Sequence, residues 1–341
     1  MLDTSHLPLL PSQAEHLAPG LVWASRALPG KPVETLHPAD IAAALVAPTG
    51  WVWLHVDLVD QRCHGWLGEA CALPATAHAI LEGHDEGVAL GHEGGVVHGI
   101  CPDLHSELAR QSTSVGRLRF AVSEHLLVTG RRHTLAAAEE VRARLSTGPA
   151  PGTAFELLET ILSAFCRNAS LRLAAASTGL DAVEDRLVME NPGDERRRLK
   201  SVRRLAVSLH RPIAAMVALF EDEDRSAWAV SAGGHEVLRR LAARLERLDR
   251  EVVMLNDRAR LLQEEIAAEL ADESNRSLRV LAVISALLLP GTLIVGIFGM
   301  NTADLPLTHT HAGFIIALLL GAGATGLFYW ILRRAGANLR L

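Results

Sequence analysis

Residues 280–301 read VLAVISALLLPGTLIVGIFGMN and contain no charged side chain. The part from Val280 to Gly299 is long enough to cross a bilayer as a helix, which takes about 20 apolar residues. A second uncharged run, AGFIIALLLGAGATGLFYWIL at 312–332, follows a polar loop at 300–311. The pair predicts a membrane hairpin at the C-terminal end, and everything upstream is attached to it.

Charge bias orients the hairpin. Arg276 and Arg279 precede the first run, Arg333, Arg334 and Arg340 follow the second, and the stretch from Asn301 to His311 has no Lys or Arg. By the positive-inside rule both termini are expected in the cytoplasm, with the loop outside and the protein in the inner (cell) membrane. Residues 1–20 lack a basic segment followed by an apolar core, so no secretory signal is expected. Cys63, Cys71, Cys101 and Cys166 form no close pair, as befits a reduced cytosolic domain.

The 341 residues carry a formal net charge of -6, with 49% hydrophobic and 21% charged side chains. That suits soluble domains plus a membrane segment. Arginine-rich stretches alternate with acids along helical patterns and form no concentrated basic face, which argues against a nucleic-acid partner. An enzyme is not expected.

Upstream, 1–150 reads as a cytosolic α+β domain. Val52, Leu54, Val56 and Leu58 share one face of a strand, with Trp51, Trp53, His55 and Asp57 on the other. Val96 to Cys101 predicts another strand, and Leu118 to Val122 with Leu126 to Thr129 a hairpin about Ser123-Glu124-His125. Helices are expected at Pro38–Val46, Pro74–Leu81 and Thr134–Leu145. The linker STGPAPG at 146–152 ends the strand signals. A helical hairpin at 151–234 follows, Ala154–Met189 and Glu195–Phe220 joined by Asn191-Pro192-Gly193, with a kink expected at Pro212.

From 235 to 299 one stalk helix is expected to run on into the first span, because no Gly or Pro lies between His235 and Leu289. At 1.5 Å per residue it would be about 95 Å long. Leu238, Leu241, Leu245, Leu248, Val252, Leu255, Ala259, Leu262 and Ile266 recur at steps of three and four, a coiled-coil-like seam. Steps of four through Leu270, Ser274 and Leu278 then shift the phase. In the membrane the stripe continues as Leu278, Leu281, Ser285, Leu288, Thr292, Val295 and Gly299. The seam reads either as the core of a single-chain bundle or, from its continuity with a span, as an oligomeric axis; the second reading is preferred. The second span at 312–332 carries Ala317, Gly321 and Thr325 at spacing four, which lets it approach a neighbour closely, and 333–341 is a short cytosolic tail.

These residues resemble the CorA superfamily of divalent-cation transporters. Gly299-Met300-Asn301 at the outer end of the first of two C-terminal spans is that family's hallmark, here within Asn275-Arg276-Ser277-Leu278-Arg279-Val280-Leu281, Pro290, Thr292, Gly296 and Ile297-Phe298. The loop 301–314 is similar in length to that of the zinc-transporting ZntB branch, with Leu305-Pro306 and Gly313-Phe314 in place. The aromatic and Met-Pro-Glu element of the magnesium branch are missing, and Thr302-Ala303-Asp304 replaces the zinc branch's glycines.

The resemblance implies a homopentamer around a central pore, embedded in lipid, with no permanently bound cofactor. The cation is zinc first, with magnesium, cobalt, nickel and cadmium as alternatives, and the zinc branch implies proton coupling. Gly299, Met300, Asn301 and Asp304 would form the entrance. Asn301 would present amide oxygens to a still-hydrated ion and Asp304 would concentrate cations. Leu278, Leu281, Ser285, Leu288, Leu289, Thr292 and Gly296 would line the path, the leucines gating by dewetting and the hydroxyls holding first-shell water.

Blander accounts stand beside these. His309 and His311 could offer nitrogen ligands to zinc or simply be a solvated loop. His84, Asp85, Glu86, His92, Glu93 and His98, and the acids Asp181, Glu184, Asp185 and Glu221 to Asp224, could bind regulatory metal; solvated surface is the preferred reading of each. A magnesium or cobalt channel is the nearest alternative function, and a membrane-anchored coiled-coil scaffold or sensor is the alternative of a different class.

Overall fold

The structure is a computed structural model describing residues 18–46, 49–105, 115–187, 195–221, 232–300 and 313–334. Its N-terminal part is built on a seven-stranded sheet of β1 (Leu21–Ala27), β2 (Glu34–Thr35), β3 (Trp51–Asp57), β4 (Ala89–Glu93), β5 (Val96–Leu104), β6 (Val115–Val122) and β7 (Leu126–Arg131). The strand order is β2-β1-β3-β7-β6-β5-β4. Neighbours are antiparallel except β3 and β7, which run parallel from Val52↔Leu126 to Asp57↔Arg131. Helices α1 (Ile41–Val46), α2 (Arg62–Cys71), α3 (Ala75–Glu82) and α4 (Ala136–Leu145) cover the sheet.

Strand β3 occupies the middle of the sheet, and its alternation separates two cores rather than a core from solvent. On one side Val52, Leu54, Val56 and the following Leu58 cluster with Ile41 and Ala44 of α1, Cys63 and Leu67 of α2, and Ala77 and Leu81 of α3. On the other, the Trp53 indole donates to the Thr129 hydroxyl at 2.8 Å, and His55 Nδ1 lies 2.8 Å from the same oxygen. The His55 ring stacks on Trp23 at 3.9 Å, and the Arg142 guanidinium sits over Trp23 at 4.7 Å. The Trp51 indole donates to Pro151 O at 2.7 Å, pinning the linker to the sheet.

The hairpin expected at 118–129 is present: β6 pairs with β7, closed by Ser123 N donating to Leu126 O at 2.8 Å. All four cysteines are free, and burial pushes the Cys63, Cys71 and Cys166 thiols up to about 12, so none is poised as a thiolate.

Three long helices follow: α5 (Ala154–Leu187), α6 (Glu195–Glu221) and α7 (Ala232–Phe298), with α8 (Gly313–Arg334) after the loop. Helix α6 runs on through Pro212 as one helix. The turn Asn191-Pro192-Gly193 lies outside the described residues. The chain divides into two compact units, Met1–Leu262 and Gln263–Leu341.

The leucine seam of α7 corrects one expectation. Leu241, Leu245, Leu248, Val252, Leu255, Ala259, Leu262 and Ile266 are all buried within the single chain. The seam upstream of the span is therefore the core of a bundle within one chain, not an oligomeric axis. The reason is its partners: Arg240 and Arg258 on the flanks of the seam reach Glu159 and Glu184 of α5, and His210 of α6 lies 3.2 Å from Asp249.

Candidate functional site

The apolar end of α7 has the character expected of a span. No residue from Val280 to Phe298 is buried, and in α8 only Gly321 is, among the described side chains. A core helix of a soluble protein would hide such a surface, so these two helices have a non-aqueous partner outside the chain.

Exposure on α7 is not uniform around the helix. Leu278, Leu281, Ser285, Leu288, Leu289, Thr292 and Gly296, the proposed path-lining residues, are all exposed. Val283, Leu287, Pro290, Gly291 and Ile294, on the other side, are less so. That second face is where α8 approaches: a Cβ at Gly291 would lie 3.4 Å from Thr325 Oγ1. On α8 the less exposed residues are Ile316, Ala317, Gly321, Ala324, Thr325 and Phe328, at helical spacing. The small-residue stripe thus turns toward α7, and the Leu278–Gly296 stripe stays exposed among the described residues. Gly291 carried no weight in the sequence reading; its signal is a glycine directly after the span's one proline.

Thr292 shows how a hydroxyl is held on the open stripe. Its Oγ1 donates back to the helix, 3.1 Å from Leu288 O and 2.9 Å from Leu289 O. With the donor spent on the backbone, the lone pairs remain as acceptors facing out. Water bound to a cation turns its hydrogens outward, so such a hydroxyl suits a hydrated cation.

Helix α7 closes with Gly299 N donating to Val295 O at 2.9 Å and Met300 N to Ile297 O at 3.3 Å. Gly299 and Met300 are both exposed. The carbonyl end of a helix bears partial negative charge, so this terminus favours a cation. Asn301, Asp304, His309 and His311 lie outside the described residues.

Among the described residues upstream of the spans, no group of three His, Cys, Asp or Glu could hold a metal ion. Glu93 accepts from Thr76 N and Oγ1, at 3.2 and 2.6 Å, and His92 and His98 belong to paired strands β4 and β5. Asp85 and Glu86 use their backbone carbonyls to accept from Arg119 and Arg117. Asp181 and Glu184 share Arg258, at 2.6 and 2.5 Å, which neutralises them. Of the acidic run at 221–224 only Glu221 is described.

Comparison with known proteins places this architecture. The chain is 23% identical over 309 residues to the divalent cation transporter CmaX of Pseudomonas aeruginosa, covering 86% of this chain and 90% of that one. It is 25% identical over 297 residues to the zinc transport protein ZntB of Pectobacterium atrosepticum, covering 83% and 86%. Among solved structures, full-length CmaX aligns with a TM-score of 0.77 at 21% identity over 93% of this chain and 98% of that one. The CorA magnesium transporter of Methanocaldococcus jannaschii aligns with a TM-score of 0.75 at 17% identity, over 92% and 98%. Both share the fold. The family model for CorA-like Mg2+ transporter proteins matches residues 48–334. With its α+β N-terminal domain, its long helix and its two apolar C-terminal helices, the chain belongs to the CorA-like family of metal-ion transporters.

Proposed function

We propose that this protein carries zinc across the cell membrane, through a pore made by five copies with α7 at the axis and α8 outside. The observation that carries the reading is the face of α7 from Leu278 to Gly296. It is exposed along its length in the single chain, holds Thr292 with its lone pairs outward, and ends in Gly299-Met300 at a helix carbonyl terminus. Two spans cannot enclose water, so conduction through this face needs copies of it around an axis.

In this reading an arriving ion meets Asp304 and the Asn301 amides while still hydrated, and Thr292 and Ser285 accept from its water shell. Leu281 and Leu288 form dry constrictions. Movement follows the ion gradient and membrane potential, with protons coupled as in the zinc branch the loop resembles. Both termini lie in the cytoplasm, by the arginine bias around the spans. The choice of zinc rests on the loop at 301–314 and on relatives named zinc transport proteins. A magnesium channel is the second reading, favoured by the family description and by the magnesium transporter of matching fold. A scaffold merely anchored by its hairpin has no use for an ordered Thr292 on an open face.

The test is flux in liposomes carrying the purified protein, with zinc and magnesium side by side, with and without a proton gradient. Zinc uptake above empty liposomes, mostly lost in Asn301→Ala, supports the reading. Movement of magnesium alone, without protons, establishes the second. Equal flux in wild type, variant and empty liposomes overturns both.

A further inference from the structure

Several arginines of the soluble part, Arg131, Arg167, Arg240 and Arg258 among them, each reach a carboxylate. Those at the inner end of the hairpin differ. Among the described residues, Arg276, Arg279, Arg333 and Arg334 have no acidic partner, although the chain has more acids than bases. Arg333 and Arg334 are exposed at the end of α8, and the Arg334 guanidinium lies 5.2 Å from the centre of the Trp330 ring, itself 52% exposed.

Gly291 and Thr325 approach each other near the middle of the uncharged runs at 280–299 and 312–332, which sets their approach near mid-bilayer. Arginines flank both far ends of the hairpin, at 276, 279, 333 and 334, which by the positive-inside rule puts those ends on one side, so α8 returns antiparallel to α7. At 1.5 Å per residue Arg333 and Arg334 lie about 12–14 Å below that contact, and Arg279 and Arg276 about 18–22 Å below it. A bilayer's hydrocarbon half-thickness is about 15 Å, with a polar layer beyond it. All four charges therefore fall in or within side-chain reach of one headgroup layer. An interfacial indole engages a guanidinium through the ring face and spends none of the guanidinium's N–H donors, which stay available for a bidentate contact to phosphate.

We propose that Trp330, Arg333 and Arg334 form a site for the phosphate of an anionic phospholipid in the leaflet beside the C-terminal end of α8, with Arg276 and Arg279 adding charge at the same level. The assignment is independent of which ion the spans carry. Its occupant is a lipid rather than free phosphate because the indole and the apolar last turn of α8 offer acyl chains a surface next to the cations.

The full-length protein, equilibrated in mixed phosphatidylglycerol and phosphatidylcholine and released into the gas phase, should retain phosphatidylglycerol about tenfold over phosphatidylcholine. Arg333→Gln/Arg334→Gln should bring that ratio within about twofold, and Arg333→Lys/Arg334→Lys should keep most of it. Inorganic phosphate at millimolar concentration should not displace the lipid. No preference in the wild type, equal retention in the Gln variant, or displacement by inorganic phosphate overturns the site. The wild-type ratio decides even if the Gln variant does not assemble, and flux plays no part in the readout.

Discussion

Glu159 of α5 and Arg240 of α7 are joined by two parallel hydrogen bonds, Nε to Oε1 at 2.8 Å and Nη2 to Oε2 at 2.6 Å. Their separation of 81 positions recurs in Ser163 with Arg244, Ser170 with Glu251 and Ser177 with Arg258. A constant offset means that the two helices run parallel and in step, and the seven-residue intervals from 163 to 170 to 177 are those of a coiled coil. The α7 seam is thereby closed by its own chain.

A double-mutant cycle on Glu159→Ala and Arg240→Ala measures that closure. Glu159 is 12% exposed and Arg240 40%, so solvent screens the pair in part. The coupling expected from thermal unfolding of the full-length protein is about 1 kcal/mol, near the upper end for such pairs. Additive single effects would show that the leucines alone hold the seam.

Asp103 supplies a cap from a distance. It is buried at the end of β5, and both its carboxylate oxygens accept from Ala137 N, at 3.2 and 3.0 Å, in the first turn of α4. Leu135 at the cap position has no side chain able to do this. Asp103→Ala should cost about 1–2 kcal/mol, with Asp103→Asn costing less because it keeps an acceptor. Burial outweighs these amide bonds and raises the carboxyl from 3.8 to about 7. A raised folded-state value stabilises most when the group is protonated, at low pH, and the contribution is lost as pH rises through about 7. The stability gap between wild type and Asp103→Asn should therefore shrink from pH 5 to 8.

His55 has the opposite sign. Burial, then the charges of Arg131 and Arg142, hold its imidazole well below the ordinary value of 6.5. The unfolded chain then binds the proton more readily, so the contribution is present above about 6.5 and is lost as pH falls. The melting temperature of wild type relative to His55→Gln should drop between pH 7.5 and 5.5. A difference that stays flat with pH would show that the imidazole is not neutral in the fold.

Much of this was legible from periodicity. The alternation at 51–58, the hairpin at 118–129, the long helices and the two spans all carry strong local patterns, and each appears in the structure. Three kinds of feature were not. Strand β4, ALGHE, lacks an apolar alternation because its residues lie at a sheet edge, half-exposed or exposed. The Asp103 cap joins positions 34 apart, which no local window links. The seam's partner was invisible because a heptad specifies a packed face without saying whose helix covers it. For the candidate path, spacing outlines a stripe, but the back-bond that leaves the Thr292 lone pairs on the exposed face, and the approach of Gly291 to Thr325, are tertiary details that no local pattern carries.

Gly291 tests the packing of the spans. A Cβ there would meet Thr325 Oγ1 at 3.4 Å, an ordinary contact, whereas Gly321 has nothing within 4 Å. Gly291→Ala should leave the melting temperature of the detergent-solubilised protein within about 2 °C of wild type. Gly291→Leu must displace α8 and should destabilise by about 1–3 kcal/mol. Gly321→Leu should be the milder of the two leucine variants, and the reverse order would move the helix contact away from Gly291.

Thr292 separates chemistry from packing on the open stripe. Thr292→Val keeps the shape and removes the oxygen that accepts from a hydrated ion, while Thr292→Ser keeps the oxygen and its back-bond to Leu288 and Leu289. Because the side chain is exposed in the chain, neither change opens a cavity within it. If the stripe lines the path, the lost water contact is worth about 1 kcal/mol in the barrier, so Val should slow zinc flux in liposomes by about fivefold and Ser by less than twofold. The two variants should melt within about 2 °C of each other. Flux unchanged in Thr292→Val would turn this face toward lipid and require another lining for the pore.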